Sequence, residues 1–294
     1  MRICFLTQTA TDISAEYKKF FRNKDLFFVT FKQSNEQALA YVPKSTWSDG
    51  RNRLWEEVRG NYDYYVFIDD DLQFLRPRVG FSPQATYWAY KLLSLGHFAR
   101  VYKPAEPNYF FKRLEHYLSA FQPEVLSVLE LGNTGNFLDK ETLKQNSYVR
   151  RMGWFDAQFT VFSEEAASKL LPYDSKISGW WSSQIPIYLY AHHVYGAKAI
   201  SVSDIAVRNA YHVGEYVPNY DGHQDVKQML AAISSATGKD FNSHYRNDSV
   251  VDIHYGQECI LTQLPHPTDT EDYFTNYQAS LKGLEKILHP HLAY

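Results

Sequence analysis

The chain of 294 residues contains two cysteines, Cys4 and Cys259. They are too few for a disulfide framework and too far apart in sequence for a cysteine-rich zinc site, so a reducing cytoplasm is the default expectation. Glycine and proline are sparse at 14 and 12, which excludes collagen-like and low-complexity architectures. No sign of charge dominates. Thirty Lys and Arg against 33 Asp and Glu leave −3, so no cationic surplus drives binding to nucleic acid or to an anionic bilayer. No run approaches the about 20 apolar residues of a membrane span. The first apolar run, Ile3 to Leu6, is too short for the core of a signal peptide. Aromatics are what the chain has in quantity: 23 Tyr, 19 Phe and 6 Trp. Most belong in a core, but tyrosine also suits surfaces that are apolar yet hydrogen-bond, as sugar and nucleotide sites do.

The length fits one large α/β unit or two small ones, and no repeat or linker marks a hard boundary. Strand-like runs at residues 2 to 7 and 26 to 31 enclose a partly helical stretch around Glu16 to Phe21, a βαβ start. Ser48 or Asp49 is placed to cap a helix carrying Leu54, Trp55 and Val58, which Gly60-Asn61 ends. Tyr64 to Ile68 then forms a continuous apolar strand that meets three aspartates. Ser82-Pro83 opens a further helix ending at Gly96. Residues 155 to 162 alternate, with Asp156, Gln158 and Thr160 on one side, as a half-buried strand does. Ser163-Glu164-Glu165 caps a short helix that stops at Pro172. Ser182 or Ser183 starts another running to Gly196, and Ala199 to Ser203 reads as a strand. After about residue 222 the pattern is mainly helical, with a terminal amphipathic helix over 271 to 288.

The sharpest chemical feature is Asp69-Asp70-Asp71. Three adjacent carboxylates repel one another and are costly at the end of a buried strand unless a cation or solvent compensates them. Ligands of α/β sheets bind at carboxyl ends of strands, where these residues fall. A hard oxygen site for Mn²⁺ or Mg²⁺ follows, with Asp69 and Asp71 on the same side if the chain stays extended. The other reading of such a triplet is a solvated acidic turn. A third ligand would complete the site, and His212 is placed for it, just beyond the strand at 199 to 203 and before Gly214.

In this order the N-terminal strand, the segment Asp49-Gly50-Arg51-Asn52-Arg53, the strand ending in Asp69-Asp70-Asp71, the alternating strand at 155 to 162, the Trp180-Trp181 turn and the late His212 resemble the nucleotide-sugar glycosyltransferases of the GT-A fold. More narrowly, Phe155-Asp156 through Ser163, Trp180 to Gly196, and Val202-Ser203-Asp204 leading to His212 resemble a little-characterised group of glycosyltransferases of plants and bacteria. The resemblance covers roughly residues 2 to 215. It implies an α/β fold with a Rossmann-type, mixed and mostly parallel sheet flanked by helices. Residues 1–221 would form the catalytic domain and 222–294 a helical extension on the acceptor side. It further implies a UDP- or GDP-linked sugar donor and a glycan or other hydroxyl acceptor. Asp71 and His212 become metal ligands and Asp69 a metal or ribose contact. Asp70, Arg51 and Asn52 fall on the donor side, and Thr7, Gln8 and Thr9 beside the nucleoside. For Arg51 the alternative is a solvated helix charge.

One departure concerns the general base. Many inverting members carry an acidic pair where this chain has Trp180-Trp181-Ser182-Ser183-Gln184. Asp156 is the first substitute and Asp174 the second. Two competing readings follow. A haloacid dehalogenase-type phosphohydrolase also ends a strand in Asp-x-Asp, but wants Thr or Val two residues later, where this chain has Leu72-Gln73-Phe74. A non-catalytic nucleotide- or carbohydrate-binding protein of the same fold accounts for the missing acidic pair.

Overall fold

The computed structural model describes residues 1–78, 101–131, 148–151, 157–175 and 198–209, with positions 85, 183, 184, 187, 191, 195 and 231 and the pairs 245–246 and 249–250. The N-terminal third is a βαβ unit. Strand β1 (Ile3–Thr9) leads through helix α1 (Ala15–Phe20) to β2 (Asp25–Thr30), and β1 and β2 pair in parallel. The short β3 (Ala40–Tyr41) continues the parallel order beyond β2. Helix α2 (Trp47–Val58) starts earlier than Ser48 or Asp49 suggests. Thr46 is its N-cap, and a capping box joins the Thr46 hydroxyl to the Asp49 N–H while the Asp49 carboxylate accepts from the Thr46 N–H. Hydrogen bonds from Thr46 and Ser175 hold the Asp49 carboxyl below its ordinary range although burial works against them.

Strand β4 (Tyr64–Asp69) lies beside β1 in parallel and is followed after two residues by β5 (Leu72–Pro77). The chain then supplies β6 (Tyr102–Pro104), α3 (Pro107–Phe121), β7 (Val125–Glu130), β8 (Val149–Arg151), β9 (Phe159–Ser163), α4 (Glu164–Leu170) and β10 (Ala199–Asn209). The sheet runs β3-β2-β1-β4-β9-β7-β10-β5-β6, with β8 paired to β10. Strand β9 is antiparallel to both β4 and β7, while β7 and β10 are parallel to each other. This is the mixed α/β sheet flanked by helices that the sequence leads one to expect.

Helices cover both faces. Leu6, Tyr65, Phe67 and Phe162 pack toward α2 and α4, whereas Phe5, Val66, Ile68 and Val161 pack toward α1 and α3. Such two-sided burial corrects the half-buried reading of the strand near 159: Gln158 is 5% and Thr160 0% exposed. Strand β10 also outruns its expected end at Ser203. Its pairing with β7 shifts register between Val202 and Ala206, and this bulge lets it continue to Asn209 alongside β5. In the region read as helical, Ala231 is helical but β11 (Tyr245–Arg246) and β12 (Ser249–Val250) form an antiparallel pair. The expected helices at 83 to 96 and 271 to 288 lie outside the described residues, Ala85 apart, which is helical. Among the described residues no helix is long and apolar enough to cross a membrane.

Candidate functional site

The three aspartates stand at the carboxyl end of β4, level with the end of β1, where Gln8 faces Asp69 across the pair. The chain does not stay extended through them. Asp70 and Asp71 form a turn between β4 and β5, so Asp69 and Asp71 do not share a side by strand alternation. The backbone of the turn is held by Tyr17 of α1, whose hydroxyl donates to the Asp69 carbonyl at 2.5 Å and accepts from the Leu72 N–H at 3.0 Å. On the other side the Asp69 N–H donates to the Gln158 carbonyl at 3.0 Å.

The side chains of the turn part to opposite faces of the sheet. Asp69 turns toward α2, where Arg51 Nη2 donates to its Oδ1 at 2.7 Å and to the Ala157 carbonyl at 2.9 Å. Asp70 turns toward α1 and receives a hydrogen bond from the Thr9 side chain. Burial pushes the Asp70 carboxyl up to about 6, and the charges of Asp69 and Asp71 add to the effect. The donor set is all hard oxygen and suits Mn²⁺ or Mg²⁺. Among the described residues no three His, Cys, Asp or Glu side chains converge on one point. A complete shell therefore needs a ligand beyond them, and His212 lies outside the described residues, as does Asp156.

Arg51 is not the solvated helix charge that the sequence allows. It is 3% exposed, its guanidinium lies 4.1 Å from the Trp47 ring centroid and 5.6 Å from that of Phe67, and its Nη2 pairs with Asp69. Asn52 is likewise committed to the fold. Its amide accepts from the Tyr173 N–H at 2.7 Å and donates to the Tyr173 carbonyl at 2.8 Å, so it fixes the loop that carries Asp174.

The segment after β1 divides as a strand must. Thr7 and Thr9 face α1, both buried, and the Thr7 hydroxyl has no hydrogen-bond partner among the described residues. Gln8 faces α2 and lies over Gly50. A Cβ on Gly50 would stand 1.8 Å from Gln8 Oε1, so glycine in this helix turn makes the room for the amide, which donates to the Thr46 carbonyl at 3.4 Å.

Two participants escape the sequence reading. Glu130, at the carboxyl end of β7, accepts from Gln158 Nε2 at 2.9 Å in a buried contact. Gln158 thereby ties β7, β9 and the acidic turn into one polar edge. Tyr17 is the other. No local signal marks either residue, because each acts through a partner from a distant strand.

No family model matches the chain, and no curated protein matches it. Solved structures are similar at low identity. TarS of S. aureus in complex with UDP-GlcNAc shares 9% identity, with 98% of this chain and 82% of that chain covered and a TM-score of 0.47. The mannosyltransferase PcManGT of Pyrobaculum calidifontis, in complex with GDP-Man and Mn²⁺, shares 11% over 99% of this chain and 70% of its own, with a TM-score of 0.44. A CMP:2-keto-3-deoxy-manno-octonic acid synthetase complexed with CTP shares 8% over 78% and 98%, with a TM-score of 0.34. All three TM-scores lie below 0.5, and the reading of this chain rests on its own strand order and side chains.

Proposed function

We propose that the chain is a glycosyltransferase that moves a sugar from a UDP- or GDP-linked donor to an acceptor hydroxyl. The observation that carries this reading is the acidic turn Asp69–Asp71 at the carboxyl end of β4, beside the end of β1, with Asp69 aligned by Arg51. Carboxyl ends of parallel strands are where α/β sheets bind nucleotides.

In this reading Asp71, with Asp69 and His212, holds Mn²⁺ or Mg²⁺, which when bound neutralises the charge of the departing diphosphate. Arg51 keeps one Asp69 oxygen fixed, so the other is presented to the metal or to the ribose in a set direction. Thr7, Gln8 and Thr9 flank the nucleoside, and the orphaned Thr7 hydroxyl suits a polar ligand atom. Asp156 takes the proton from the acceptor hydroxyl, with Asp174 as the second candidate. Residues 222–294 form the acceptor side.

A second reading, a non-catalytic binding protein of the same fold, is favoured by the absence of a carboxylate in Trp180 to Gln184. Calorimetric titration with UDP, GDP and their sugars, each with Mn²⁺ and with EDTA, tests the metal-dependent site. Tighter binding with Mn²⁺ is expected, and equal affinity in both sinks the metal assignment. Donor hydrolysis separates the two readings, since a binding protein shows none.

A further inference from the structure

Tyr17 of α1 bonds the backbone of the acidic turn at both ends. In a tight turn the carbonyl of the first residue ordinarily accepts from the N–H of the fourth. Here the first and fourth residues are Asp69 and Leu72, and the Tyr17 phenol stands between them as acceptor for one and donor to the other. The phenol is buried, 5% exposed, and its ring is seated among Phe21 and Phe74 at centroid distances of 5.6 and 5.7 Å. Its own position is fixed by Ser14, which caps α1 by accepting from the Tyr17 N–H at 3.2 Å. A second contact runs beside it, since the Thr9 hydroxyl at the end of β1 is within reach of both the Asp70 carboxylate and the Asp12 carbonyl, the latter at 3.1 Å, and gives its single proton to one of them.

We infer that the Tyr17 hydroxyl is a positioning lock for the acidic turn, setting the span between Asp69 and Leu72 and hence the direction in which Asp71 presents its carboxylate to a metal-bound nucleoside diphosphate. The metal-binding half of this inference rests on the glycosyltransferase reading, whereas the lock itself does not. Without the hydroxyl the turn must widen to water or close on itself, and either motion moves Asp71. The aromatic packing is untouched by removal of one oxygen, so Tyr17→Phe isolates the effect.

Amide hydrogen exchange of the full-length protein reads the lock without metal. In the wild type Leu72 is expected to exchange as slowly as the amides of β4, although it adjoins a turn. In Tyr17→Phe it exchanges about tenfold faster or more, the consequence of losing one buried hydrogen bond, while β1 and β4 amides keep their protection. Calorimetry with Mn²⁺ plus UDP and Mn²⁺ plus GDP is then expected to show roughly threefold to tenfold weaker binding in the variant, with the nucleotides in EDTA binding both proteins alike. An unprotected Leu72 in the wild type, or unchanged exchange in the variant, overturns the lock. Faster exchange with unchanged Mn²⁺-nucleotide affinity overturns the positioning role. A wild type that binds no Mn²⁺-nucleotide fails the glycosyltransferase reading and the metal half with it, while exchange still decides the lock.

Discussion

Arg51 and Asp69 form an ion pair of unequal burial: the guanidinium is 3% exposed and the carboxylate 29%. The asymmetry fixes the order in which substitutions hurt. Asp69→Ala strands a buried cation that keeps the Ala157 carbonyl, the Tyr173 hydroxyl and the Trp47 and Phe67 rings but loses its counter-charge, whereas Arg51→Met leaves a carboxylate that water reaches. Breaking a buried pair costs about 3–5 kcal/mol when the remaining charge is uncompensated. Urea unfolding of the metal-free protein is expected to show that full loss for Asp69→Ala and about 1–3 kcal/mol for Arg51→Met. The reverse order would mean that the guanidinium is solvated.

Gly50 and Gln8 give a prediction that separates folding from binding. An added Cβ meets the end of the Gln8 side chain, which is flexible and only half-buried, so the amide swings away rather than the helix. Alanine gains about 0.5–1 kcal/mol over glycine inside a helix, which offsets the displaced contact. Gly50→Ala is therefore expected to keep its thermal midpoint within a few degrees while nucleotide affinity falls. A large drop in the midpoint would show that Gln8 is locked and that the site is rigid at this corner.

The strands β1, β2 and β4 were legible because each is a continuous apolar run bounded by polar residues, and the acidic turn because it interrupts one abruptly. The cap of α2 was not, since Thr46, Ser48 and Asp49 all suit an N-cap, and the choice is made by the reciprocal bond between Thr46 and Asp49. The polar side of the strand near 159 misled for a different reason. Gln158 reads as solvent-facing until Glu130, 28 residues earlier, is placed beside it. Asp204 likewise falls just past the expected strand end at Ser203, yet it is 1% exposed and held by Arg113 at 2.5 Å across 91 residues. Buried polar pairs of high sequence separation leave no periodicity to detect. The same holds for the functional residues: Asp69 announced itself, while Tyr17 and Arg51 acquire their roles from the turn they hold.

Buried tyrosines set the alkaline limit of the fold. Burial pushes the Tyr173 and Tyr64 phenols up to about 12, with nearby carboxylates adding for Tyr64, and it raises Tyr17, Tyr102 and Tyr117 well above the usual value of 10. Between pH 10 and 12 the unfolded chain loses phenolic protons that the native state keeps. The native state then binds more protons, so stability falls as pH rises, and the contribution is fully present only below about 10. Thermal midpoints are expected to drop steeply from pH 10 upward, with tyrosinate absorbance appearing together with loss of structure. Gradual tyrosinate formation in a protein that stays folded would show that these phenols reach solvent.

Asp71→Ala bears most directly on what the triplet is for. Removing one carboxylate from three consecutive ones relieves repulsion, which adds to burial in raising the Asp70 carboxyl. In EDTA the variant is therefore expected to unfold at the same temperature as the wild type or slightly above it. With Mn²⁺ and UDP or GDP the wild type gains stability by mass action, and the variant is expected to lose that gain entirely. A thermal-shift series in which metal and nucleotide are varied separately reads both effects in one experiment. If the variant melts well below the wild type in EDTA, Asp71 is a structural residue of the β4–β5 turn, and the ligand site must be sought elsewhere on the carboxyl edge.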